Sequence, residues 1–197
     1  MKILKTDNLY TNEFVIKKSR FITIVKRVYS KSDIDSVIKE NLQKDARHNC
    51  WAYILNDGVH VTESFHNDGE PSGTSGDAIL KTLKSMLLTN VIVFVVRYFG
   101  GTKLGTGPLT RSYTQGIKTI VNENNLLKDL ETGIQLTFLF NISSVKKIEL
   151  HVQKEFINIS KTYIEDKVQI VGTTKNETAL SSISDLIELI EEKIIIF

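Results

Sequence analysis

Residues 91–96, VIVFVV, are apolar at every position and run directly into RYFGGTKLGTGPLTRSY. A strand with one wet face would alternate apolar and polar residues. This one does not, so it predicts a central strand covered on both faces by other layers. The chain then spends four of its 11 glycines on eight positions, 100–107, and continues into an amphipathic run in which Leu109, Tyr113, Ile117 and Ile120 recur at helical spacing. Strand, glycine-rich turn and helix start are therefore expected in that order, with the helix over about Pro108–Asn124 and proline well placed at its first turn.

That order carries chemistry. A helix N-terminus presents unpaired N–H groups and the positive end of its dipole, and glycine lets a ligand approach the backbone. Arg97, Lys103 and Arg111 add positive charge around Gly100, Gly101, Gly105 and Gly107, so these seven residues form the candidate anion, phosphate or RNA site. The loop lacks the Gly-Lys-[Ser/Thr] ending of a phosphate-binding P-loop and the third glycine of a dinucleotide fingerprint. A second loop, GEPSGTSG at 69–76, also precedes a helix and also follows a strand, so the two could converge. Ser72, Gly73 and Thr74 join the candidate site on that ground. Asp77 argues against this second helix as an anion site, because a carboxylate in the first turn already answers the dipole.

Four further residues are accessory candidates: His48, Cys50, Asp68 and Glu70. His48 and Cys50 would face the same side of an extended chain, and a histidine can activate a thiol. No third orienting group is identifiable, so a buried, inert Cys50 is the stronger expectation. Asp68 and Glu70 could hold Mg²⁺ beside a phosphate, but Asp-Gly and Glu-Pro are also ordinary turn chemistry. No metal, cofactor or catalytic residue is assigned.

Elsewhere, EFVIKKSRFITIVKRVY (13–29) reads as one long or bulged strand. A helix follows, capped by Ser32, with Ile34, Val37, Ile38 and Leu42 inward. WAYILNDGVHVTESF reads as a hairpin turning at Asp57-Gly58. A helix capped by Ser75 buries Ile79, Leu83, Met86 and Leu87. NENNLLKDLETG is polar and without a strand pattern, which places a domain boundary there: 1–128 and 129–197. The second part reads β-α-β-β-α-β, with its last helix over 176–192 and its last strand over 193–197, a ferredoxin-like pattern.

Charge divides at the same point. Residues 1–128 carry 18 Lys+Arg against 12 Asp+Glu, and 129–197 carry 7 against 11, so a net +6 is joined to a net −4. The asymmetry suggests different partners for the two parts. No apolar run approaches the ~20 residues needed to cross a bilayer. The single cysteine excludes an internal disulfide and suits a reducing cytosol, and no secretion signal is visible, so a cytoplasmic location without membrane partners is expected.

The segments DARHNCWAY, DGEPSGTSG and VVRYFGGTKLGTGPLTRSY, in that order and spacing, resemble the YigZ/IMPACT family over roughly residues 10–125. Asn67 stands where an Asp is usual, Asp77-Ala78 replaces a common x-Pro, and Pro108 stands where Gly is common. The resemblance implies an α+β protein with a ribosomal protein S5 domain 2-like first domain, and a small ferredoxin-like second domain similar to domain V of elongation factor G. It implies no settled enzymatic activity. Eukaryotic relatives act in translational control, by competing for the activator of an amino-acid-starvation kinase. For bacterial members it implies RNA, ribosome or translation-factor partners. The expectation is a regulatory protein that binds rather than catalyses. An enzyme acting on a phosphorylated small molecule or nucleotide is the alternative, and a cysteine hydrolase the third reading.

Overall fold

The structure is a computed structural model and describes residues 1–196. It divides into two compact units, Met1–Leu130 and Glu131–Phe197. In chain order the first contains β1 (Lys2–Leu4), β2 (Tyr10–Ile16), β3 (Ser19–Arg27), α1 (Lys31–Asn41), β4 (His48–Asn56), β5 (Val61–His66), α2 (Gly76–Ser85), β6 (Val91–Tyr98), α3 (Thr106–Glu123) and β7 (Leu127–Asp129). Five of these strands form an antiparallel sheet in the order β2-β3-β6-β4-β5, and β1 pairs with β7 in a small separate ladder.

The all-apolar strand is β6, at the centre of the sheet, and every residue from Val91 to Val96 is buried. Its odd positions, Val91, Val93 and Val95, pack with Phe21, Cys50 and Ala52 under Ile79 and Leu83 of α2 and Leu109, Tyr113 and Ile117 of α3. Its even positions face the other way, where Ile92 meets Ile34 and Val37 of α1. Helices on both faces thus explain why β6 has no polar side, and each buried Val, Ile or Phe contributes about 1.5–3 kcal/mol by leaving water.

Several expectations for this unit need correction. Leu42 and Leu87, expected to face inward, lie just past the ends of α1 and α2 and are 51% and 61% exposed. Residues 13–29 are a hairpin and not one strand: Lys17 and Lys18 both take positive φ, 45° and 66°, and turn the chain between Ile16 and Ser19. Two successive positive φ values are what a two-residue hairpin needs, usually supplied by Asn-Gly, and Lys-Lys hides the signal. Helix α1 is capped by Ser30, with Asp33 completing a capping box, where Ser32 was expected. The segment before residue 131 is not featureless: Leu127–Asp129 pairs with β1, Leu126 is buried, and Leu130 N donates to Met1 O at 3.0 Å.

The second unit contains β8 (Thr132–Asn141), α4 (Val145–Glu155), β9 (Ile157–Ile164), β10 (Lys167–Thr174) and β11 (Ile187–Ile196), in one antiparallel sheet ordered β11-β8-β10-β9. Its core gathers Leu136, Phe138 and Phe140 of β8 with Ile148, Val152 and Phe156. The helix expected over 176–192 is absent. Asn176 Oδ1 accepts from the N–H and hydroxyl of Thr178, a turn that competes with a helix start. Only Ser181–Leu186 coils, as a 3-10 turn, and residues 187–192 join the strand. Ile187 and Leu189 pair with Phe140 and Phe138, so long-range pairing overrides a helix-favouring local composition. Of the expected last strand, Phe197 lies outside the described residues.

Candidate anion-binding cleft

Both glycine-rich loops leave the same sheet, one after β5 and one after β6, and they meet. Thr110 of α3 donates to Gly73 O at 3.3 Å, and the loops enclose a cleft of about 580 Å³. Gly69, Glu70 and Pro71 line one side, and Phe99, Lys103, Leu104, Gly105 and Thr106 the other. The ends of β4 and β6 supply Arg47, His48 and Arg97, and Leu109 closes the wall.

The floor is a buried charge pair. Arg97 is 4% exposed and its Nη1 lies 2.5 Å from Glu70 Oε1, itself in a residue only 8% exposed. The Tyr113 hydroxyl donates to the same oxygen at 2.7 Å. Burial, above all, pushes the Tyr113 phenol far up, with Cys50 and Glu70 adding to it, so it stays a donor. Register explains the assembly: Phe21, Arg97 and His48 stand side by side on β3, β6 and β4, beneath Tyr113 of α3. Arg97 was expected to face an external anion. Glu70, 27 residues earlier, already holds it, as a buried charge requires a partner.

His48 Nδ1 lies 2.7 Å from the Asp68 carbonyl, which can only accept, so Nδ1 carries the proton and Nε2 sits 3.7 Å from Glu70 Oε1. Asp68 acts as a clasp. Its Oδ2 accepts from Asn49 N at 2.6 Å, and its own φ of 43° turns the chain toward Gly69. Asp68 and Glu70 are thus both engaged elsewhere, and among the described residues no three of His, Cys, Asp and Glu are grouped to hold a metal ion. Cys50 lies below, fully buried, its thiol donating to Asn67 O at 3.1 Å. Burial pushes that thiol up to about 12, so it is not a thiolate near neutral pH.

The two helix starts differ. At α2 the donors are spent. Asp77 accepts from Gly73 N, from Ala78 N at 2.9 Å, from Ser75 N at 3.4 Å and from the Ser72 hydroxyl at 3.3 Å. Burial works to raise the Asp77 carboxyl, but these donors outweigh it and hold the group below its ordinary value. Thr74 turns inward to Pro71 O, and Ser75, at the cap position, donates to Asn67 Oδ1 without capping the helix itself. Ser72, Gly73 and Thr74 therefore build the loop and leave little for a ligand.

At α3 the donors are open. The cap position is Gly105, with φ 84° and ψ 158°, so no side chain caps the helix, and its first turn holds no acidic residue. Gly100 answers a different need, close packing. A Cβ there would collide with the backbone of Lys18 and Ser19, and its N–H donates to Ser19 Oγ at 3.1 Å. Gly101 bends the loop with φ 84°. Lys103 lines the cleft as expected. Arg111 does not: its Nη1 lies beside Gly107, and it lines a separate groove on the outer face of α3 with Thr114 and Lys118. Arg47, Lys103 and Arg111 have no carboxylate partner among the described residues. Arg47 was missed by the sequence reading. It abuts the flagged His48, but only its bond from N to Arg97 O, 3.0 Å across the sheet, brings it to the cleft.

Fold and cleft define a two-unit mixed α/β protein whose first unit carries two convergent glycine loops. The profile of the Impact N-terminal domain matches residues 17–121, and the chain belongs to the IMPACT family. It is 34% identical over 171 residues to the IMPACT family member YvyE of Bacillus subtilis, covering 79% of this chain and 76% of that one. It is 37% identical over 124 residues to the IMPACT family member YigZ of Escherichia coli, covering 59% of this chain and 56% of that one. A crystal structure of a hypothetical protein superposes over 98% of both chains with a TM-score of 0.63 at 27% sequence identity.

Proposed function

We propose that this chain is a cytosolic, non-catalytic regulatory protein that associates with the translation machinery by gripping RNA phosphate in the cleft of its first unit. One observation carries the reading: the uncapped start of α3 opens on the same cleft as Arg47 and Lys103, two cations without carboxylate partners among the described residues. Backbone donors, helix dipole and exposed positive charge then face the same cleft. The net +6 of residues 1–128 would steer a polyanion toward it. Membership in the IMPACT family supports a regulatory rather than catalytic role, through the translational control that its eukaryotic members exert. Two fold readings accompany the proposal, a ribosomal protein S5 domain 2-like first unit and a ferredoxin-like second. The strand order β11-β8-β10-β9, antiparallel throughout, supports the latter although its second crossover is a 3-10 turn.

An enzyme acting on a phosphorylated small molecule is the second reading, favoured by the volume of the cleft, which falls within the roughly 300–1,000 Å³ of small-molecule sites. Titration of a labelled RNA oligomer over a salt series tests the first. Affinity is expected to fall linearly on a log–log plot, by about 0.7 per phosphate contact for a single strand. A salt-independent affinity, or none, would remove the RNA reading.

A further inference from the structure

The lip of the cleft suits an anion, but its floor suits hydrogen-bond donors. Both protein donors to Glu70, from Arg97 and Tyr113, end on Oε1. No donor among the described residues reaches Oε2, and that oxygen is not among the polar atoms sealed from solvent without a partner. His48, fixed through Nδ1 to the Asp68 carbonyl, offers Nε2 as its free edge, 3.7 Å from the other oxygen of the same carboxylate, Oε1. A carboxylate with one oxygen held by Arg97 and Tyr113 and the other open to the cleft is placed to accept from a ligand's hydrogen-bond donors. A phosphate does not fit there, because it would meet the Glu70 carboxylate. A cation gains little, because Arg97 already neutralises Glu70 at 2.5 Å. Two adjacent neutral donors fit best. Between floor and lip, Phe99, 46% exposed, and Leu104 give an apolar wall for a flat ring.

We propose that the cleft takes a nucleoside 5′-phosphate with a free ribose cis-diol: the phosphate on Lys103, Arg47 and the start of α3, the diol on Glu70 Oε2 and His48 Nε2, the base against Phe99. This deepens the phosphate reading above and rests on it. The 3′-terminal nucleotide of an RNA and a free mononucleotide present the same chemistry.

The test varies the ligand and leaves the full chain untouched. A 5′-labelled RNA hexamer is titrated with a 3′ cis-diol, a 3′-phosphate or a 2′,3′-dideoxy terminus, and AMP and 2′,3′-dideoxy-AMP compete with it. The 3′-phosphate and the dideoxy end should each weaken binding at least about tenfold, the loss expected for one or two hydrogen bonds to charged groups. Of the two competitors, AMP should displace the hexamer at the lower concentration. Hexamer affinity well above that of AMP assigns the site to RNA ends, and equal affinity assigns it to free nucleotides. Equal binding of all three hexamers would overturn the diol site while leaving the phosphate reading intact. Binding of no hexamer and no nucleotide would overturn both.

Discussion

Cys50 shows how a residue's surroundings decide its chemistry. Two positions from a histidine it resembles an activated nucleophile, yet it is fully buried with its thiol pushed up to about 12. An alkylating reagent at pH 8 should therefore leave Cys50 unmodified in the folded protein and label it on unfolding. Rapid labelling of the folded chain would contradict the burial. Asp77 gives the corresponding case for a carboxylate. Its group is held below the ordinary value of 3.8, so its contribution to stability is fully present above that pH and is lost as pH falls through the lower folded value. Asp77→Asn should cost roughly 1–2 kcal/mol at pH 7, and the gap from the parent should close in acid, measured by urea unfolding at several pH values. A gap independent of pH would mean that the charge is not what the loop uses. At this scale the sequence showed which residues bear chemistry but not which of them satisfy one another. Arg97 and Lys103 look alike in RYFGGTK. Only the fold reveals that Glu70 claims the first and leaves the second open, or that Tyr113 and Arg47 belong to the same group.

At the scale of elements, what could be read was whatever local periodicity or turn chemistry dictates. The central strand β6, the hairpin at Asp57-Gly58 and the loop-to-helix passage into α3 follow from apolar runs and glycine placement. The elements that misled are those settled by distant partners. The β2–β3 turn hides in Lys17-Lys18, and β11 forms because β8 offers it an edge. The loop between β6 and α3 illustrates both kinds of cause. Gly105 serves a local need, a φ of 84° at the cap of α3, whereas Gly100 is small because the β2–β3 turn passes directly against it. Gly100→Ala should consequently destabilise by about 1–3 kcal/mol or more through overpacking, despite needing no unusual backbone angle. Chemical denaturation checks this. A neutral outcome would mean that the hairpin turn yields easily to the added methyl.

For the whole molecule, the division at Leu130 makes the first unit, with its own core, cleft and all of the matched family domain, a natural independent fragment. Its end is tied down by pairing of Asp129 with Lys2 and by the bond from Leu130 to Met1. A 1–130 fragment should unfold cooperatively and be more stable than 1–128 by roughly 1 kcal/mol, for the lost edge hydrogen bonds. A fragment without a cooperative transition would contradict that independence. On the function proposed above, the opposite charges on the two sides of the boundary would confine polyanion binding to the first unit. The most direct test of that claim is the affinity of the full chain and of its Arg47→Ala/Lys103→Ala variant for a single-stranded RNA oligomer, with thermal unfolding as the folding control. Both side chains are unpaired by carboxylates, so the variant should fold as the parent does, yet bind about tenfold or more weakly, with a log–log salt slope shallower by about 1.4. Undiminished affinity and an unchanged slope in a folded variant would show that these cations are solvated surface and that the cleft does not hold phosphate.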